Sequence, residues 1–408
     1  MSLDTLERVR AGRRPLERCT GDPRSFLAND WGKRAAIRLG GPSPTTLAPT
    51  TLATGGFEDL LSLDDVDRFL TTTALRAPFF RLVKAGERIP ESAYTRAGRA
   101  GSRDVRGIAD PARVAALFED GATIVLQGLH RWSEPVTRFC RDLELDLGHP
   151  CQVNAYVTPR GAQGLELHVD AHDVFVLQAF GRKRWEVHEA PLEERRDPLD
   201  VEVASGDTMY LPAGTPHAAR AQDELSGHLT IGVHVTQWRD VLTGVVARAA
   251  GTVEDPVPVG WLEDPDQFAE ELRERLRALA SALGEVDVRT EAVERRERFL
   301  SSRAQLARGT IAERAAPIAV DDATVVTRRA GSLCELSVRP DRLVVLLGDR
   351  RLEMPTWLER AMRKVARMDE AGELTVRDLS LHLPHAGSRA VLVRRLIREG
   401  LLTIRGGR

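Results

Sequence analysis

His168 and Asp170 stand two residues apart, and His217 follows in the segment LPAGTPHAA. On an extended strand, residues i and i+2 face the same way, so an H-x-D aims an imidazole and a carboxylate into one space. The run from Leu165 to Phe180 is rich in Val, Leu and Phe, as suits a mostly buried strand pair. A third ligand from another strand completes a facial set of two nitrogens and one oxygen. Such a set leaves three octahedral positions of a metal open, the arrangement of non-haem Fe(II) oxygenases. Pro212, Gly214 and Pro216 mark the tight turn that presents His217, after a short strand opened by Asp207. His168, Asp170 and His217 are therefore read as the ligands of one divalent metal. His172, beside Asp173, is the rival, because a regular strand carries it on the face of His168 and Asp170.

A second group of residues suits the binding of an acid. Lys183 lies in GRKRWEVH, a strand that follows a turn at Gly181, and Asn154 and Tyr156 share one face of the strand VNAYV. A carboxylate buried in a barrel without a partner is prohibitively costly. A cation and neutral donors offset that cost, a charge-assisted hydrogen bond contributing roughly 1.5–3 kcal/mol. Taken alone, the same residues favour a blander reading in which Arg182, Lys183 and Arg184 are three bases on a solvated turn.

Several segments together resemble the JmjC-type cupin 4 family, the ribosomal oxygenases. FLANDWGKRAAIRLG (Phe26 to Gly40) resembles the family's N-terminal signature, and ATIVLQGLHRW (Ala122 to Trp132) the strand and loop before the first helix of the barrel. PRGAQGLELHVDAHDVFVLQAFGRKRW resembles the central motif almost throughout, and LPAGTPHAA with HLTIGV the closing strands. The resemblance spans roughly residues 20 to 240. It implies an Fe(II)- and 2-oxoglutarate-dependent protein hydroxylase with iron on His168, Asp170 and His217. It implies that Lys183 grips the distal carboxylate of 2-oxoglutarate, with Asn154 and Tyr156 beside the same co-substrate and Thr230 bordering the pocket. Two positions depart from the family's pattern: Val169, where an aromatic is common, and Glu166, where Pro is often seen. Both bear on the substrate side of the pocket.

These residues need elements to position them. At 408 residues, two or three domains are expected. The composition, 42% hydrophobic and 29% charged, is that of an ordinary soluble globular chain. A net charge of −2 creates no basic field that calls for nucleic acid or membrane. No apolar run approaches the ~20 residues of a spanning helix, and MSLDTLERVRAGRRP lacks the apolar core of a secretion signal. Cys19, Cys140, Cys151 and Cys334 are scattered, which suits a reducing cytosol. Residues 1 to about 25 read as a loose arm or short helix, and 41 to 56 as a Pro/Thr/Gly linker or loop. FEDLLSLDDVDRFLTTTAL reads as two short helices capped at Asp64 or Asp65, FFRLVKAGERIP as a strand pair around Gly86, and DPARVAALFEDG and SEPVTRFCRDLELDLG as helices. About six short strands then run to Trp238. Helices first and dense strands after predict an α+β fold, a double-stranded β-helix (cupin/JmjC) barrel with helical decoration.

Beyond Trp238 the pattern turns helical. Phe268, Leu272, Leu276, Leu279 and Leu283 form a stripe on one helix, and RTEAVERRERFLSSRAQLARG continues as another. The family precedent for this region is a helical dimerisation module. RLVVLLGDRRLEMP is a hairpin, and LTVRDLSLHL, SRAVLVRRLIREG and LLTIRGG read as helix, helix and strand, a winged-helix order. Basic residues outnumber acidic ones 17 to 12 from Pro317 onwards. Arg389, Arg394, Arg395 and Arg398 fall on the candidate recognition helix, but a solvated basic face on a packing module accounts for them better than nucleic-acid binding.

The expected organisation is a catalytic domain (1–240), a helical dimerisation domain (241–316) and a winged-helix domain (317–408). The expected function is hydroxylation of a protein side chain, by resemblance an Arg or His of a ribosomal protein, by a cytoplasmic homodimer without membrane contact. Three alternatives remain open on the residues: an oxygenase of a small molecule or biosynthetic peptide, an inactive cupin that binds through its winged helix, and a zinc or manganese cupin isomerase.

Overall fold

The computed structural model describes residues 15–39, 56–162, 166–188, 197–220, 223–251, 256–303, 309–315, 318–369 and 372–405. The expected linker or loop at 41–56, apart from Gly56, and the first part of the N-terminal arm lie outside them. Chain contacts divide the molecule into two compact units, Arg10–Val235 and Thr236–Arg408.

The first unit begins with helices α1 (Pro15–Thr20) and α2 (Pro23–Asn29), strand β1 (Ala36–Arg38) and helix α3 (Leu63–Thr72). The cap of α3 is Ser62 rather than Asp64 or Asp65: its hydroxyl accepts from the Asp65 N–H while the Asp65 carboxylate returns to the Ser62 N–H, a reciprocal capping box. Strands β2 (Phe80–Lys84) and β3 (Glu87–Arg88) turn at Gly86 as expected. A hairpin of β4 (Thr95–Ala100) and β5 (Arg103–Ala109) follows, which the sequence reading did not anticipate. Helix α4 (Pro111–Glu119), strand β6 (Thr123–Leu126) and helix α5 (Glu134–Leu147) come next, and α5 stops at Gly148 in the left-handed conformation. The barrel strands are β7 (Cys151–Thr158), β8 (Asp173–Phe180), β9 (Arg182–Val187), β10 (Leu199–Ala204), β11 (Thr208–Leu211), β12 (His217–Arg220) and β13 (Ser226–Val233).

They pair, all antiparallel, into an eight-stranded sheet ordered β1-β11-β8-β13-β7-β6-β2-β3 and a three-stranded sheet ordered β10-β9-β12. Alternate residues of β8 serve two cores. Phe175, Leu177 and Ala179 pack toward the helices with Phe26, Phe69 and Leu143. Val174 and Val176 meet Trp185, Val187, Val203 and Ala219 of the smaller sheet. Burial on both faces explains why this strand reads as a nearly continuous apolar run rather than an alternation.

The second unit opens with helices α6 (Trp238–Ala250), α7 (Pro265–Gly284), α8 (Val288–Ser301) and α9 (Thr310–Arg314). It continues through β14 (Val325–Arg328), β15 (Glu335–Val338), β16 (Leu343–Leu346), β17 (Arg351–Met354), helix α10 (Glu359–Ala366), β18 (Glu373–Thr375), helix α11 (Ala386–Arg398) and β19 (Leu402–Ile404). The β16–β17 hairpin turns at Gly348–Asp349 as read. The segment LTVRDLSLHL is not the expected helix: it forms β18 and a 3-10 turn over Val376–Leu379. Thr375 and Val376 favour extended backbone, and Thr375 with Asp378 closes a capping box that starts only a short turn. Its core joins α10, α11 and the sheet β18-β14-β19 through Val326, Met362, Leu379, Val393 and Leu402.

Candidate metal centre and acid pocket

The segment carrying His168 and Asp170 is not a regular strand, which corrects the sequence expectation. Strand β8 starts only at Asp173, and His168 is tied to the smaller sheet by one isolated bridge to His217. The two residues exchange backbone hydrogen bonds: the His168 N–H donates to the His217 carbonyl at 3.1 Å, and the His217 N–H returns at 2.9 Å. The Gly214 N–H donates to the Asp170 carbonyl at 2.8 Å. The turn 212–216 and the H-x-D segment are thus stitched together, and the three side chains converge. Their ligand atoms all lie within 4.8 Å of one another, with His217 Nε2 3.7 Å from an Asp170 oxygen.

Both imidazoles are oriented by backbone. His168 Nδ1 is 2.8 Å from the Glu166 carbonyl, and His217 Nδ1 is 2.9 Å from the Thr215 carbonyl. A carbonyl only accepts, so each Nδ1 carries the proton and each Nε2 keeps its lone pair for a metal. Burial pulls the His217 pKa down, which favours the neutral ligand form. The rival ligand His172 turns away: its ring stacks on His234 at 5.2 Å and fills the space over Gly232. Asp173 is structural, accepting from the Tyr210 hydroxyl at 2.5 Å and the Ala213 N–H at 2.9 Å, which anchors the turn before His217.

The pleat of β9 sorts its three bases. Arg182 and Arg184 point outward and pair with Glu202 and Asp200. Lys183 points inward and is 1% exposed, so the solvated-turn reading does not hold. Gly181, at φ +65°, makes the turn: a Cβ there would stand 1.9 Å from the Leu225 carbonyl oxygen. The Lys183 ammonium donates to the Thr158 hydroxyl at 2.9 Å, and among the described residues no carboxylate meets it. Burial pulls its pKa from 10.5 down to about 7.

One cavity joins the two groups. It is lined by His168, Asp170 and His217 at one part and by Lys183, Tyr156 and Thr230 at another, with Val174, Val176, Trp185 and Ala219 as apolar wall. Asn154 does not line it. Its side-chain oxygen accepts from the Gly128 N–H at 3.0 Å, one pleat nearer the loop after β6 than Tyr156. His228 was not singled out from the sequence, yet it lines the cavity, fully buried, with Nδ1 unpartnered among the described residues. Its ring lies flat on Tyr156 at 5.1 Å and edge-on to Trp185 at 5.3 Å. Burial, reinforced by the Lys183 charge, pushes its pKa well down. The signal was available: His228 is two residues before Thr230 on one strand and so shares its face.

Residues 130–241 match the family model of the JmjC domain. The chain is 29% identical to Ribosomal oxygenase 1 of Homo sapiens over 47% of this chain and 32% of that protein. It is 31% identical to Ribosomal oxygenase 2 of Rattus norvegicus over 56% of this chain and 53% of that protein. It thus spans a third to a half of the length of these curated relatives. The solved structure of YcfD, a ribosomal oxygenase from Escherichia coli in complex with cobalt and 2-oxoglutarate, overlays on 95% of this chain and 99% of that one. Its TM-score is 0.53 at 17% identity, a likeness of fold. The chain therefore carries a JmjC domain of cupin-type fold and is a relative of the ribosomal oxygenases.

Proposed function

We propose that this chain is an Fe(II)- and 2-oxoglutarate-dependent oxygenase that hydroxylates a protein side chain, an Arg or His of a ribosomal protein. The observation that carries this reading is one cavity holding both a His/Asp/His cluster and a fully buried lysine with no carboxylate beside it among the described residues. A buried ammonium without a counter-charge is costly, and an arriving carboxylate offsets that cost. The donor set fits the pair of groups. His168 Nε2, the Asp170 carboxylate and His217 Nε2 would hold the iron, and Lys183, Tyr156 and Thr230 would receive the acid. When bound, iron and 2-oxoglutarate would, together with O2, supply the oxidant for an unactivated C–H bond, one oxygen atom of O2 going to the hydroxyl and the other to succinate as CO2 leaves. The Glu166 and Thr215 carbonyls keep the imidazoles in the ligating tautomer, and Trp185, Val174, Val176 and Ala219 keep water from the acid pocket. Asn154 would act from outside the lining, its side-chain oxygen accepting from the Gly128 N–H.

The protein substrate rests on the relatives' names as ribosomal oxygenases. Incubation with Fe(II), 2-oxoglutarate and ribosomal proteins should yield succinate and one ribosomal protein heavier by one oxygen atom. Succinate formed without any modified protein would point to a small-molecule or peptide substrate instead. No succinate formation would leave an inactive binding cupin.

We divide the chain into a catalytic domain (1–240), a helical dimerisation domain (241–316) and a winged-helix domain (317–408). The apolar stripe of α7 supports a second copy of this chain as partner: Leu272 and Leu276 are 46% and 55% exposed, and α7 has no buried residue. The arginines of α11 support packing rather than nucleic-acid reading. Arg389 is buried against Asp322 and the Leu383 and Pro384 carbonyls, Arg394 donates to the Ala390 carbonyl and Arg395 pairs with Glu399. Cys19, Cys140, Cys151 and Cys334 are buried and form no disulfide among the described residues, which accords with a reducing cytoplasm. No helix among the described residues is long and apolar enough to cross a membrane.

A further inference from the structure

Tyr156 is held from two sides. Its ring is stacked on His228. Its hydroxyl meets the side chain of Arg81, a residue of β2 that does not line the cavity. The sheet register explains the meeting. Arg81 pairs with Val125, Val125 with Tyr156 and Tyr156 with His228, so four neighbouring strands set these side chains in one row on the inner face. Arg81 shares this face with Val83, which lines the cavity. Among the described residues no carboxylate pairs with Arg81, and its Nε is buried without a partner. This guanidinium is therefore placed there by something other than an ion pair, and a buried unmatched donor calls for a reason.

Hydrogen-bond arithmetic supplies one. A guanidinium has five donors and no acceptor, whereas a phenol has one donor and two lone pairs. Arg81 can only donate to the Tyr156 oxygen. The phenol's own hydrogen is then left for an acceptor elsewhere, and the ring, pinned by His228, borders the cavity that Lys183 occupies. We propose that Arg81 is a positioning residue for the anionic co-substrate, acting through Tyr156: it holds the phenol oxygen from behind so that the O–H donates to a carboxylate in the cavity. This rests on the 2-oxoglutarate reading above. Polarisation by the guanidinium also strengthens the phenol as a donor.

The test is calorimetric titration of 2-oxoglutarate into the full chain loaded with Mn(II) in place of iron, so no turnover is needed. The variants are Arg81→Met, Arg81→Lys, Tyr156→Phe and the Arg81→Met/Tyr156→Phe pair. Arg81→Met and Tyr156→Phe should each weaken binding roughly tenfold, as loss of one hydrogen bond to a charged group does. The double variant should be no weaker than the worse single, because the two side chains act in series. Arg81→Lys, still a donor, should recover part of the loss. Mn(II) affinity, read by paramagnetic resonance, should match the wild type throughout. Wild-type affinity in Arg81→Met, fully additive losses in the double variant, or loss of Mn(II) along with 2-oxoglutarate would each overturn the proposal. Failure of the wild type itself to bind 2-oxoglutarate would instead overturn the co-substrate reading on which it stands.

Discussion

Lys183 pairs function against stability, and the trade can be measured. In the folded protein burial brings its pKa from 10.5 to about 7. In the unfolded chain the ammonium keeps its proton to near 10.5. Between about pH 7 and 10.5 the unfolded state therefore binds more protons, so stability contributed at this site rises with pH and is lowest below pH 7. The shift corresponds to roughly 4–5 kcal/mol of destabilisation near neutral pH. Lys183→Met keeps the length and removes the charge. Its cost is the hydrogen bond to Thr158, about 1 kcal/mol, and Thr158 still receives the Thr123 hydroxyl at 3.2 Å. The metal-free, co-substrate-free variant should thus be stabilised by roughly 3–4 kcal/mol, or on the order of 10 °C in Tm for a unit of this size. Scanning calorimetry near pH 6.5 should show that gain, and a scan near pH 9.5 should show it shrunk to a third or less. The same variant should bind Mn(II) normally and lose 2-oxoglutarate, the stability–function exchange expected of a strained site. A Tm equal to the wild type near pH 6.5, or a gain independent of pH, would refute the reasoning that this lysine waits as an uncompensated buried base.

Other expectations follow from the same structure. Asp170→Asn and His217→Ala should each lower Mn(II) affinity at least about tenfold by paramagnetic resonance, since each removes one of three converging ligands. Asp173→Ala leaves the Tyr210 hydroxyl and the Ala213 N–H without their acceptor, and should cost roughly 2–4 kcal/mol in urea unfolding. It should weaken metal binding too, because the turn it anchors carries His217; unchanged metal affinity would separate the turn from the site. Leu272→Glu with Leu276→Glu should convert a dimer to monomers in sedimentation while leaving Mn(II) binding intact, and an unchanged sedimentation coefficient would remove the α7 face from the interface.

Much of the site could be read from residue types and short spacings. The residue types of the cluster His168, Asp170 and His217, the turn at Pro212–Pro216 and the Gly181 bend were legible locally, because side-chain chemistry and turns are decided within a few residues. The limits of helices α4 and α5 were legible for the same reason: Asp110, Gly121, Ser133 and Gly148 punctuate them. What only the tertiary structure decided depends on which strand lies beside which. The three bases of GRKRW look alike in the chain, and the pairing of β9 between β10 and β12 turns one inward and two out. The H-x-D segment proved to be bridged backbone rather than a strand, since its partner lies at His217, far along the chain. The row Arg81, Val125, Tyr156 and His228 exists only because four strands with long sequence gaps share a register. Local patterns name the groups that can do chemistry; long-range backbone pairing, which no short window encodes, selects those that face the same space.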